Sequence, residues 1–456
     1  MPAYKTPGVF VEEISTLPPS VAEVSTAIPA FIGYTEKGPK IARVSTLLEY
    51  EQLFGGPKSA LFSVASNSNS VVTSVTRMLS ANTPAGSVPE FLMYYALSHY
   101  FKNGGGACYI VSVGDYSMTA SKDHFSAGLA LLEQEDEPTL LVLTDAVNLA
   151  AADYHELAQA ALAQSHKLGD RFALLDVKQN AVADTADPTA FRDGIGTNYL
   201  AYGAAYYPYL ETTLTFAYAE SGVTIQIPAT DGTATTTEVT LDSIKSTKTS
   251  LYNAVKSQLS AQRVVLPPSA AVAGAYASVD RDRGVWKAPA NVSVSAVIGP
   301  VVKISNDAQE GLNVDPTAGK SVNAIRAFTG KGTLIWGART LAGNDNEWRF
   351  VSVRRLFNMI EESARKGTAF AVFEPNDMTT WLKVKGTIES LLYSLWERGA
   401  LAGSKPEAAY FVHVGLGKTM NTQDVLEGRM IVEIGVAAVR PAEFIVLRFT
   451  HKLQEG

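Results

Sequence analysis

The chain predicts an α/β fold with strand-like ends, and three observations carry that expectation. Helices and short apolar strands alternate from about residue 116 to 280, dense patterning resumes from 281 to 440, and a strand-like run stands at each terminus. Alternation of this kind implies a parallel sheet covered by helices. The terminal runs are different. A strand needs a neighbour, and the Leu17-Pro18-Pro19-Ser20 break and Pro441 separate both runs from the strands next to them in sequence.

Composition bounds the rest. At 456 residues the chain exceeds what one hydrophobic core usually holds, so two or three domains are expected. Hydrophobic residues at 46% and charged residues at 18% are ordinary globular values. No apolar run reaches the roughly 18 residues of a membrane helix, and no secretory apolar stretch follows Lys5; we expect cytoplasmic synthesis without a signal peptide and no direct membrane insertion. A net charge of -7 without a basic stripe argues against nucleic acid as a partner. The one cysteine, Cys108, lies in the apolar run CYIVSV and reads as a buried thiol.

Taken in order, AIPAFIG reads as a strand and STLLEYEQLFGGP as a helix stopped by Gly55, Gly56 and Pro57. Residues 58–87, rich in Ser, Thr and Asn, read as an exposed, mobile excursion. VPEFLMYYALSHYFK is helical up to Asn103 and three glycines, and the strand ACYIVSV follows. Then come a helix near 123–133, the strand TLLVLTD, a helix at 151–166 and the strand RFALLDV. GVTIQIPATDGTATTTEVTLDS reads as a hairpin about Asp-Gly, a decoration within about 211–262. Further on, TLIWGART, FVSVRRL, TAFAVFEPN and AAYFVHVG read as strands, with a helix in RRLFNMIEESARKG. The clearest helix has Val384, Ile388, Leu391, Leu392 and Leu395 on one stripe, Asp377 near its cap and Gly399 at its stop, with Trp381 and Trp396 as core anchors. RMIVEIGVAAV and EFIVLRFTHKL are the closing strands.

Catalytic motifs fail on spacing. VHVGLGKT at 412–419 ends in Gly-Lys-Thr but has Val412 where a phosphate-binding loop requires glycine, so it reads as a turn. The glycines at 104–106 stop a helix and do not open one. The histidines at 99, 124, 155, 166, 413 and 451 show no i, i+4 pair, so no metal and no cofactor is expected. A hydrolase on the middle unit, drawing on Asp145 and His155, is the competing reading, though no G-x-S-x-G elbow supports it. A capsid or tube component with exchanged strands is a third. In the last third, Arg326, Arg339, Arg354, Arg355, Asp345, Glu347, Glu374 and Asp377 read as an assembly surface.

YKTPGVFVEEIS, FIGYTEKGP, YFKNGGGACYIVSV, LPPSAAVAGAYASVDRDRGVWKAPAN, VNAIRAFTGKGTLIWGARTL, FVSVRRLFNMIEESARKGTAFAVFEPND and AAVRPAEFIVLRF occur in one collinear series. Together they resemble the sheath protein of contractile phage tails and related contractile injection systems. The resemblance implies a structural protein, not an enzyme, which forms a six-fold helical cylinder of stacked hexameric rings around an inner tube protein and shortens when a baseplate triggers it. Its partners would be further copies of itself, the tube, baseplate and terminal cap proteins and, where present, sheath paralogues, in a virion tail or a released or anchored particle. It implies an α+β core drawn from both chain ends, at 21–115 and 281–440, an inserted outer α/β domain at 116–280, and arms at 1–20 and 441–456. These arms would exchange between subunits by adding strands to a neighbour's sheet. Val9, Phe10, Val11, Glu12, Glu13 and Ile14 match the N-terminal arm, Leu17 to Ser20 its tether, and Phe444, Ile445, Val446, Leu447, Arg448 and Phe449 the C-terminal arm. An inner-tube contact is implied around Asp424, Glu427 and Arg429, and Arg354 and Arg355 would be charge contacts between the bodies of a contracted sheath.

Overall fold

Six parallel strands form the middle of a nine-stranded sheet, in the order Val322–Phe328, Gly203–Tyr207, Phe172–Asp176, Leu140–Leu143, Pro29–Gly33 and Cys108–Ser112. Antiparallel strands close both sides: Ile41–Val44 beside Cys108–Ser112, and Gly332–Ile335 then Val292–Ser293 beside Val322–Phe328. The computed structural model describes residues 23–67, 69, 71–80, 83–84, 88–179, 187–228 and 236–446.

The near-continuous apolar strands follow from burial on both faces. Phe31, Ile110, Val142 and Leu174 meet the helices Met93–Lys102 and Ser269–Arg283 on one face. Ile32, Val111, Leu141 and Leu175 meet Lys122–Leu132 and Ala151–Leu168 on the other. On the first face two helices pack closely enough that a Cβ at Gly274 would lie 2.5 Å from the Tyr100 carbonyl oxygen. Alanine normally stabilises a helix interior by about 0.5–1 kcal/mol over glycine. Here the sign reverses: Gly274→Ala forces the helices apart and lowers stability by about 1–3 kcal/mol, read as a lower melting temperature.

Several expectations are corrected. Residues 58–87 are not an excursion: Leu61–Ser66, Val72–Ser80 and Thr83–Pro84 are strands of a five-stranded sheet. The expected hairpin pairs as read, Val223–Pro228 against Thr236–Thr240, but it also adds to that same sheet through a parallel pairing with Leu61–Ser66. Phe62, Val64, Val223 and Ile225 are buried in the main core, so the segment is no loose ornament. FVSVRRL is not a strand, since a single helix runs Val351–Gly367. TAFAVFEPN holds only a short 3-10 turn, Ala369–Ala371. A boundary at 115/116 does not separate one sheet from another, because strands on both sides of it are neighbours in the nine-stranded one.

Two compact units result. One comprises Ser25–Met359 with Arg440–Gly456 and contains the sheets above; the other comprises Met1–Val24 with Ile360–Val439.

Candidate assembly surfaces

The Ile360–Val439 unit is built on one helix and one small sheet. Asp377 starts the helix Met378–Glu397, its carboxylate accepting from the Thr379 and Thr380 amides at 3.0 Å each. Val384, Ile388, Leu391, Leu392 and Leu395 form its buried stripe, as the spacing predicts. The tryptophans are not core anchors: both are half-buried, Trp381 donating to the Asn376 side chain at 2.7 Å and Trp396 to the Gly403 carbonyl at 2.9 Å.

Tyr410–Val414 pairs antiparallel with Val432–Val436 as a two-stranded sheet. Val412 is buried beneath it, while Phe411 and His413 stack at 4.7 Å on the opposite face. Gly435 lies across from Phe411, and a Cβ there would sit 2.2 Å from the phenyl ring. A two-stranded sheet is marginal alone, and its outer edges present backbone groups for further strands. Exposed apolar groups gather in this unit: of 22 exposed large hydrophobic side chains among the described residues, 10 fall within 360–439. Phe373 is fully exposed at φ 68, a left-handed conformation unusual for a bulky residue.

Of the expected arms, Val9 to Ile14, the Leu17–Pro18–Pro19–Ser20 tether, and Leu447, Arg448 and Phe449 lie outside the described residues. Phe444, Ile445 and Val446 are described; they are 73%, 80% and 76% exposed and belong to no strand.

The expected charge contacts are corrected. Arg354 and Arg355 are 4% and 3% exposed, and both are used within their own chain. Arg354 donates to Asn358 Oδ1 at 2.7 Å beneath the Trp348 ring, and Arg355 pairs with Asp280 at 2.5 and 3.1 Å. Arg339 is equally buried, while Asp345 and Asp377 hold local backbone amides. A guanidinium removed from water needs such partners, so neither Arg354 nor Arg355 faces another body here. Asp424, Glu427 and Arg429 do come together: Arg429 reaches Asp424 at 2.8 Å and Glu427 at 2.7 Å. Asp424 also closes a capping box with Asn421 on the helix Thr422–Leu426, which leaves Glu427, Arg429 and the exposed Leu426 facing out. Sequence reading missed Leu426 and Phe373, since pattern alone does not tell an exposed apolar side chain from a buried one.

The hydrolase residues have structural tasks. Burial pushes the Asp145 carboxyl up to about 7, and its oxygens accept from the Tyr34 amide at 2.7 Å and the Leu92 amide. Asp176, likewise raised to about 7 by burial, starts the helix Ser269–Arg283 through the Ser269 amide at 2.8 Å. His155 rests edge-on against Phe191, and no hydrogen bond joins it to Asp145 among the described residues. Cys108 is a buried thiol, its pKa raised by desolvation. Residues 415–420 form a turn with Gly415 and Gly417 at positive φ, as the spacing of VHVGLGKT implied.

Known proteins share stretches of this sequence and its fold. The phage tail sheath C-terminal domain matches residues 343–452. Over 185 residues the chain is 24% identical to the tail sheath protein of Vibrio phage KVP40, covering 40% of this chain and 26% of that one. The match thus spans about a quarter of that relative's length. Two solved structures align end to end. The helical sheath of the anti-feeding prophage in its contracted state is 31% identical over 99% of this chain and 100% of that one, with a TM-score of 0.65. The PVC sheath complex of an extracellular contractile injection system, also contracted, is 29% identical over 100% and 99%, with a TM-score of 0.67. These matches place the chain among the structural proteins of phage-tail-like particles. The chain belongs to the contractile tail sheath family.

Proposed function

We propose that copies of this chain polymerise into a six-fold helical cylinder around an inner tube and that its contraction drives the tube through a target envelope. The observation that carries this reading is an unfinished sheet. Tyr410–Val414 and Val432–Val436 stop at two strands, while Phe444 to Val446 of the same chain are exposed, apolar and unpaired among the described residues. The N-terminal arm at Val9 to Ile14 and the C-terminal arm at Phe444 to Phe449 supply the missing strands from neighbouring copies. A head-to-tail contact of this kind does not close on itself, so repeating it builds a helix.

The role is structural and not catalytic; the work of contraction comes from repacking between subunits, with the arms as lasting links. Glu427 and Arg429, with Leu426 beside them, are the surface offered to the inner tube. Baseplate and cap proteins bound the cylinder at its ends, within a virion tail or a released or anchored particle. Negative-stain microscopy of the overexpressed full chain tests the proposal. Wide striated cylinders are expected, and particles that stay monomeric at high concentration would overturn it.

A further inference from the structure

Each terminal arm must leave its own body at a defined point if it is to reach a neighbour. The structure places a buried arginine at each departure. At the N-terminal root, the Arg355 Nη2 donates to the Thr26 carbonyl at 2.8 Å and to Asp280 Oδ2 at 2.5 Å, while Nη1 donates to Asp280 Oδ1 at 3.1 Å. The Thr26 hydroxyl closes the group by donating to Asp280 Oδ2 at 2.6 Å. Tyr276 lies 4.6 Å beneath the guanidinium. Just before Thr26, the Val24 amide donates to Ser363 Oγ at 3.2 Å and Glu23 pairs with Arg398.

The C-terminal root has the same construction. Arg339 Nε donates to Glu443 Oε1 at 2.9 Å and Nη2 donates to Oε2 at 2.5 Å, while Nη1 reaches the Asn313 and Gly343 carbonyls at 3.3 Å. Asn323 holds the Arg339 backbone on both sides, its Oδ1 accepting from the Arg339 amide and its Nδ2 donating to the Arg339 carbonyl, both at 2.8 Å. The same Nδ2 reaches the Ala205 carbonyl in the central sheet at 3.2 Å. The residue after Glu443 is the exposed Phe444.

Fork geometry and burial make such pairs directional and strong relative to surface ion pairs. Asp280 stands on the helix Ser269–Arg283 and Arg339 is tied through Asn323 to the central sheet, so both anchors belong to the compact Ser25–Met359 unit. We infer that Arg355 with Asp280, gripping Thr26, and Arg339 with Glu443 are paired clamps that fix the roots of the two arms. They fix the inner end of each arm; on the N-terminal side Val24 and Glu23 are held in turn, by Ser363 and Arg398, before the arm crosses to another copy. Arg355, assigned above to its own body, thus acts on assembly through the arm and not by touching a neighbour. The inference rests on the arm-exchange reading.

Thr26→Val and Glu443→Gln test it in the full chain, each leaving the arginine an acceptor. A lost hydrogen bond to a charged group corresponds to roughly a 10–100-fold rise in local opening, so cleavage by glutamyl endopeptidase after Glu23 in the first variant and by chymotrypsin after Phe444 in the second accelerates by about that factor. Cylinder yield falls while the melting transition is largely kept. Thr26→Ser and Glu443→Asp, which keep hydroxyl and charge, restore protection. Unchanged cleavage in both variants overturns the clamps, as does loosening spread evenly over the central sheet. Failure of the wild-type chain to polymerise would instead sink the proposed function, while the cleavage result would still decide the clamps.

Discussion

Deleting residues 1–15 abolishes cylinders while leaving the circular dichroism close to that of the full chain. The nine-stranded sheet and its flanking helices lie within Ser25–Met359, outside the deleted stretch. Under the proposed arm exchange, the deletion takes away Val9 to Ile14, the segment that a neighbour's two-stranded sheet would receive. Each ladder hydrogen bond contributes about 0.5–1.5 kcal/mol net, so half a dozen of them amount to several kcal/mol per link. In a polymer every subunit is held by several links at once, and the loss of one class lowers effective concentration for the rest. The expected result is therefore complete loss of long assemblies, not a reduced yield. A second deletion, of residues 444–456, should act in the same way through the other arm. Full-length cylinders from either truncated chain, seen by microscopy at wild-type concentration, would refute the role of that arm.

The central layers were legible because both local signals agreed there. PAFIG, CYIVS, LLVL and FALLD are nearly all apolar, with Ser112 and Asp176 only at strand ends, and glycines or prolines bound the helices between them. Residues 61–66 were missed for the opposite reason. Only Phe62, Val64 and Ser66 turn inward, and the outward Ser63 and the small Ala65 dilute the run below what reads as a core strand. Val351 to Leu356 misled by alternation, since V-S-V-R matches a strand's period; in the folded chain Val351, Ser352, Val353, Arg354, Arg355 and Leu356 are all buried, so alternation there marks no face. Of the expected arm residues, Phe444, Ile445 and Val446 are described, and they are exposed and outside any strand. The charged residues taken for an assembly surface were chosen by type, and type does not distinguish an arginine that meets another molecule from one that holds its own backbone.

Arg355→Leu decides that distinction. If the side chain were an exposed contact, its replacement would leave the monomer's stability within a few tenths of a kcal/mol. In the fold, Arg355 and Asp280 side chains are 3% and 5% exposed and paired at 2.5 Å. Removing the cation leaves a buried carboxylate with only the Thr26 hydroxyl against it, at a cost of about 3–5 kcal/mol. That is a large fraction of the stability of an ordinary domain, about 5–15 kcal/mol, so a marked fall in melting temperature is expected. Asp280→Leu added to Arg355→Leu removes the stranded charge as well, and apolar pairs often replace buried ion pairs with little loss, so most of the stability returns. The arm root does not return with it, because Thr26 then has neither the guanidinium for its carbonyl nor the carboxylate for its hydroxyl. The double variant should therefore melt near the wild type and still be cleaved rapidly after Glu23. A single variant as stable as the wild type would show that the pair is solvated. A double variant both stable and protected would show that Thr26 is held by something other than these two side chains.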